Sequence, residues 1–330
     1  MLENLKLILI CSIGGLIIGM ILFQLTIPLL HYFKFGQSIR KEGPTRHLTK
    51  KGTPTMGGLV IVFITLLLFS LYLICIKEKN QTIWLNSLLL LIPFVCFSII
   101  GFIDDFLIII KKTNQGLPAI VKFLLQLVVS GISYYLIMTI RDHNALNFFG
   151  YPLDLRFLYG VIIVIGFSGI TNATNLTDGL DGLLSGCAIL SFLGVLVVSV
   201  WKENTIVTYF CLSIIIALIA FSMFNFPKAK IFMGDVGSLA IGAALFASLI
   251  ALNMELLFFF FGFIYFIETI SVILQVWFFK KTKGNRLFKM TPLHHHFELL
   301  GLKEEEIDVI FWIITFIFTI IGIILGVKVF

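Results

Sequence analysis

Read for hydrophobic and polar positions, the chain alternates long apolar runs with short polar stretches. The runs are continuous and lack the two-residue alternation of barrel strands. Each comes close to the ~20 residues that a helix needs to cross a bilayer. The pattern predicts ten transmembrane helices, at roughly 5–30, 57–76, 84–103, 119–140, 157–173, 182–201, 205–224, 237–252, 256–279 and 307–328. The expected fold is an all-α integral membrane bundle, with residues 1–330 forming a single polytopic transmembrane domain. The first run, Leu5 to Leu30, is too long for a signal-peptide core and has no A-x-A site, so it is expected to stay as a helix. One polar stretch, Arg141 to Arg156, contains L-N-F-F-G-Y-P-L-D-L and predicts a small β-hairpin turning near Gly150.

Composition agrees with the pattern. The chain is 59% hydrophobic and 13% charged, with a mean hydropathy of +1.05. Soluble domains carry about 25% charge, so no large soluble domain fits. The five cysteines, Cys11, Cys75, Cys96, Cys187 and Cys211, lie in apolar runs without a C-x-x-C pair and read as packing residues. The net charge of +6 is explained by topology, and no nucleic acid partner is expected. Sixteen Lys and Arg fall after odd-numbered spans and seven on the other side, with Lys122 inside a span. The positive side is expected to be cytoplasmic, placing both termini and the hairpin on the periplasmic face.

The unusual chemistry concentrates in the loops of that positive face. The first, Lys41 to Gly58, joins Gly and Pro to Lys50, Lys51, Thr53 and Thr55, a composition suited to phosphate contact or to a plain solvated loop. Asp104 and Asp105 end the third apolar run, where charge is unfavourable unless paired or bound to a cation. Neighbouring helical residues point about 100° apart, so the two acids can serve different partners. Lys111 and Lys112 follow and could neutralise phosphate. Asn172, Asn175, Asp178 and Asp181 recur every three residues and would line one helical face, beyond what a simple cap requires. Asp235 stands between glycines at the start of the eighth span, either as a cap or as a third acid. Hard oxygen donors of this kind suit Mg²⁺. Phe232 could stack on a base or simply pack at the interface. His294, His295 and His296 are adjacent, a poor arrangement for one zinc ion, and phosphate contact is the preferred reading. Glu268 lies in the middle of the ninth span, facing protein or marking a break in the helix.

The motifs K-K-G-T-P-T-M-G-G (50–58), F-I-D-D-F (102–106), N-A-T-N-L-T-D-G-L-D-G-L (172–183), F-M-G-D-V-G-S (232–238) and T-P-L-H-H-H-F-E (291–298) occur in order over essentially the whole chain. With them the chain resembles the polyprenyl-phosphate N-acetylhexosamine-1-phosphate transferases, and within these the phospho-N-acetylmuramoyl-pentapeptide-transferase branch. The resemblance implies ten helices with the ninth broken, often a homodimer in the bacterial inner membrane. It implies transfer of phospho-MurNAc-pentapeptide from UDP-MurNAc-pentapeptide to undecaprenyl phosphate, a membrane lipid, giving lipid I and UMP with Mg²⁺ as cofactor. By the same resemblance Asp235, with Asp105, is the metal-binding acid, and Asp104 faces the lipid phosphate. Lys50, Asp181, Phe232, Gly179 and Leu180 border the uracil. Thr55, Asn175, Asp178 and Gly234 form the wall beside the nucleoside, Asn225 lies near that pocket, and the three histidines border the pyrophosphate. The chain departs from the pattern at Ile108, where many members carry Lys, and Lys111 or Lys112 is the candidate replacement.

The lipid phosphate is largely dianionic near neutral pH, so direct attack is favoured over a covalent aspartyl intermediate. Two alternatives stay open on the residues alone. One is transfer of N-acetylglucosamine-1-phosphate, and the other is a cation-coupled transporter.

Overall fold

A computed structural model describes residues 2–33, 50, 52–76, 80–111, 115–140 and 145–329. Lys112, Lys51 and most of the first polar loop (34–49) lie outside the described residues. The chain folds as an all-helical bundle plus one hairpin. Its first eight helices are α1 (Leu2–Tyr32), α2 (Gly58–Cys75), α3 (Gln81–Lys111), α4 (Ala119–Ile140), α5 (Phe157–Thr177), α6 (Leu183–Trp201), α7 (Thr205–Asn225) and α8 (Gly234–Ala251). They are followed by α9 (Phe258–Phe261), α10 (Phe263–Lys281), α11 (Leu293–Leu300) and α12 (Glu304–Lys328). Among the described residues nine helices are long and apolar enough to cross a membrane, and Gly58–Ile74 is a shorter apolar helix.

α8 is the axis of the bundle: every residue from Val236 to Ile250 is buried. A helix that is apolar all round belongs in a core, and α2, α3 and α5 pack around this one. By contrast, α1 and α12 expose Ile10, Leu25, Ile313 and Phe316. In a bundle dissolved in lipid, outward apolar side chains carry no penalty. Strands β1 (Ala145–Phe148) and β2 (Tyr151–Asp154) pair antiparallel. Phe149 and Gly150 both have positive φ at the turn, the twist that a two-residue hairpin demands.

The ninth predicted span is interrupted, but not where Glu268 sits. A short 3₁₀ turn (Glu255–Leu257) leads into α9, which ends at Gly262, and α10 runs unbroken through Glu268. The carboxylate does not disturb α10 because backbone N–H groups of another helix satisfy it.

Candidate active site

The end of α3 moves furthest from its predicted place, and the move builds the site. α3 continues to Lys111, so Asp104 and Asp105 lie within the helix and not at its end. The charges are tolerated because each acid finds its own partner. Asp104 Oδ1 accepts from the Leu117 N–H at 3.0 Å and lies 3.7 Å from Lys122 Nζ. Asp105 Oδ2 accepts from the Val236 N–H at 3.2 Å and so caps the N-terminus of α8, where a carboxylate is favoured. Asp235, in the first turn of α8, accepts from Asn175 Nδ2 at 2.7 Å and pairs through its other oxygen with Lys122 Nζ. Asn175 also donates to Ser238 Oγ at 2.9 Å. Asp104 and Asp235, far apart along the chain, therefore meet at one lysine, and Asp105 joins them through the backbone at the start of α8.

Glycine lets them meet. A Cβ on Gly101 would lie 2.1 Å from the Asp235 carbonyl oxygen, so α3 and α8 touch backbone to backbone. Gly234 has a φ of +75, and a Cβ there would lie 2.4 Å from Asp105 Oδ2.

A second polar group flanks the first. Lys50 Nζ donates to Asp181 Oδ1 at 2.8 Å and to Glu304 Oε2 at 2.5 Å. Burial lowers the Lys50 pKa, but Asp181 and then Glu304 outweigh it, and the net value stands above that of an ordinary lysine. Asp181 Oδ2 also accepts from the Ala229 N–H at 2.8 Å. Asn225 staples two loops, accepting from the Gly182 N–H at 2.7 Å and donating to the Ile231 carbonyl at 3.0 Å. The Phe232 N–H donates to Pro54 O and the Phe232 carbonyl accepts from Gly57 N–H, both at 2.8 Å, which aligns buried Thr55 beside Gly234. Leu180 is buried behind this wall.

Asn172, Asn175, Asp178 and Asp181 do not share one face. α5 stops at Thr177, Asp178 is its C-cap, and Asp181 turns toward Lys50. Asn172 instead bonds Gln126 of α4, receiving 3.4 Å and donating 2.7 Å contacts. Asp178 stands between the two polar groups. Desolvation pushes its carboxyl well above the usual range, helped by Asp235, Asp105 and Asp181 and opposed by the Gly234 N–H.

The His294 and His295 rings pack edge to face with centroids 4.2 Å apart, and each of the three histidines has different polar surroundings. His294 is buried, His295 Nδ1 lies 2.7 Å from Glu298 Oε2, and His296 Nδ1 accepts from the Lys289 N–H at 3.1 Å. A cavity of about 370 Å³, lined by Gly166, Gly169, Ala173, Phe246, Phe259 and Ile273 among others, runs between α5, α8, α9 and α10.

Lys111 is exposed at the end of α3. The cation that reaches the acids is Lys122, from the first turn of α4, a residue the sequence reading left as an unexplained charge in a span. That oddity was the available signal. Glu304 gave none, being one of three consecutive glutamates.

Among the described residues no three His, Cys, Asp or Glu side chains form a ready-made metal cage. The donor set still fits Mg²⁺, which uses one or two carboxylates and takes its other oxygens from water and substrate phosphate. Asp105 and Asp235 supply hard oxygens of that kind.

A multi-helix membrane bundle with an acid-and-lysine centre walled by stapled loops defines a polytopic membrane enzyme. The description of glycosyl transferase family 4 matches residues 85–253, and phospho-N-acetylmuramoyl-pentapeptide-transferase signature 1 matches residues 50–62. The phospho-N-acetylmuramoyl-pentapeptide-transferase of Staphylococcus saprophyticus is 42% identical over 322 residues, covering 96% of this chain and 98% of the relative. Those of Staphylococcus carnosus and Staphylococcus aureus are 42% and 40% identical, each covering 97% of this chain. The chain belongs to the phospho-N-acetylmuramoyl-pentapeptide-transferase family. It is an enzyme and a multi-pass protein of the bacterial inner membrane, and the transporter reading is set aside.

Proposed function

We propose that the chain transfers phospho-MurNAc-pentapeptide from UDP-MurNAc-pentapeptide to undecaprenyl phosphate, releasing UMP and forming lipid I, the first membrane step of peptidoglycan synthesis. One observation carries the site assignment: Asp104 and Asp235 meet at Lys122, with Asp105 joined to them through the start of α8, beside a wall that joins Lys50 to Asp181. Both substrates bring phosphate, and their mutual repulsion is the barrier to approach.

Lys122 and Lys50 offset that charge from opposite sides of Asp178. Asp235 and Asp105 would hold Mg²⁺, which would supply positive charge against the donor diphosphate and the departing UMP. Asp104, on the α4 side of the helix, orients the lipid phosphate for direct attack. Asn175, Asp178, Asn225, Thr55 and Gly234 form the nucleoside wall, with Gly179, Leu180 and Phe232 around the base. His295 and His296 border the diphosphate side. Lys111, exposed at the end of α3, and Lys112, next to it in sequence, draw phosphate toward the centre. The apolar cavity along α5 and α10 suits a polyprenyl chain: its lining contains Ala173, two residues from Asn175.

The rest of the topology follows the same reading. Residues 1–330 form one domain, α2 is the tenth span, the hairpin and both termini are periplasmic, the site opens to the cytoplasm, and two chains form a homodimer.

UMP release by purified protein given both substrates and Mg²⁺ tests the activity. Replacing the donor with UDP-N-acetylglucosamine should stop release. Asp235→Asn should lower turnover by about 1000-fold or more, within the range for removing a group that acts only in the transition state. Full activity in that variant, or turnover under exhaustive chelation, would defeat the metal assignment.

A further inference from the structure

Glu268 takes no part in the acid centre, yet it is fully buried in α10. A carboxylate at such depth must be satisfied by protein. Its oxygens accept from the Leu293 N–H at 2.6 Å and the His294 N–H at 3.2 Å. These are the first donors of α11, whose N-cap residue Pro292 makes no side-chain cap bond. Glu268 thus caps α11 from another helix.

The same carboxylate oxygen lies 3.3 Å from His294 Nδ1. The His294 ring is 1% exposed, and its other nitrogen, Nε2, has no hydrogen-bond partner. That nitrogen faces Gly179: a Cβ built there would lie 2.2 Å from it. The ring therefore bridges a fixed carboxylate and the loop that follows α5.

Which nitrogen carries the proton follows from these contacts. A carboxylate accepts, so Nδ1 must donate. The charge on Glu268 is already met by two backbone N–H groups at a helix N-terminus, which removes the need for an imidazolium. An imidazolium would also bury a positive charge whose Nε2–H has no acceptor, the less favourable state.

We propose that Glu268 is a positioning residue that keeps the His294 proton on Nδ1 and presents Nε2 as an acceptor beside Gly179. The donor it fits is a sugar hydroxyl of the nucleoside diphosphate, and not a phosphate oxygen, which is itself an acceptor. The substrate half of this inference rests on the proposed transferase reading. The protonation half does not.

Two measurements test it. Nitrogen-15 spectra of the wild-type protein in lipid, with the His294 signal assigned by its loss in His294→Gln, need no activity and no altered Glu268. A neutral ring protonated at Nδ1 is expected, and a proton on Nε2, alone or with Nδ1, overturns the proposal. The second compares UMP release from UDP-MurNAc-pentapeptide with release from its 2′-deoxyuridine and 3′-deoxyuridine analogues. One of the two should lose about 10–100-fold in kcat/KM with the wild type, and the loss should vanish in His294→Gln. Glu268→Gln should fall by a similar factor, and the double variant no further than His294→Gln alone. Equal use of all three donors by the wild type, or additive effects of the two substitutions, overturns it. A wild type inactive with every donor would instead sink the transferase reading and leave the spectral result standing.

Discussion

The two polar groups of the site are built in opposite ways. Around Lys122, the three aspartates sit on α3 and α8, which touch through Gly101. Around Lys50, the acids come from the loop after α5 and from the start of α12, and the two lysines are equally shielded, at 18% exposed for Lys50 and 17% for Lys122. The first group is held by helix packing, so its geometry can barely relax. The second is held by side chains and loop backbone, so it can open for a ligand. Charge alone does not separate them, since each places a lysine against carboxylates. What separates them is whether the surrounding backbone can move.

Breaking each lysine should reveal that difference. Lys122→Met leaves buried carboxylates unpaired, a change that costs about 3–5 kcal/mol when one partner of a buried pair is removed. Thermal unfolding in detergent should fall with it, and UMP release should be lost. Gly101→Ala attacks the same rigidity without touching charge. Overpacking of this kind costs about 1–3 kcal/mol, read as a lower melting temperature with activity lost alongside. Lys50→Met should cost clearly less stability than Lys122→Met, because the loop that carries Asp181 can shift and return the freed carboxylate to water. It should raise the KM for the nucleotide donor about tenfold, with kcat changed less. Equal effects of Lys50→Met and Lys122→Met on stability would erase the contrast.

The smallest effect lies between the groups. Asp178 binds its proton more tightly when folded, because its carboxyl is pushed well above the usual range. Without divalent ions, stability should fall as pH rises from the ordinary carboxylate value of about 4 toward the raised folded value, then level off. Asp178→Asn should flatten that slope, and an unchanged slope in unfolding titrations would refute the placement.

Much of this protein was legible in the linear pattern. The long apolar runs located most helix ends to within a few residues, and the hairpin announced itself by its turn and alternation. The motifs pointed to the loops that the structure gathers around Lys122 and Lys50. Hydrophobic length and turn preference are local properties, so a single pass along the chain finds them. Where the reading failed, distant partners were the reason. α3 ran past Asp104 and Asp105 because Leu117, Val236 and Lys122 satisfy those charges. Glu268 suggested a break in its helix because its partners, the N–H groups of Leu293 and His294, lie on α11.

Length, hydropathy and residue type by themselves decided that the chain enters a membrane as helices and which polar residues are out of place there. Only the tertiary structure decided that Lys122 completes the acid centre, that Lys50 reaches Glu304, and which nitrogen of His294 faces Gly179. Those outcomes depend on which helices approach closely enough for one side chain's charge to be met by another's, and no local preference encodes that distance.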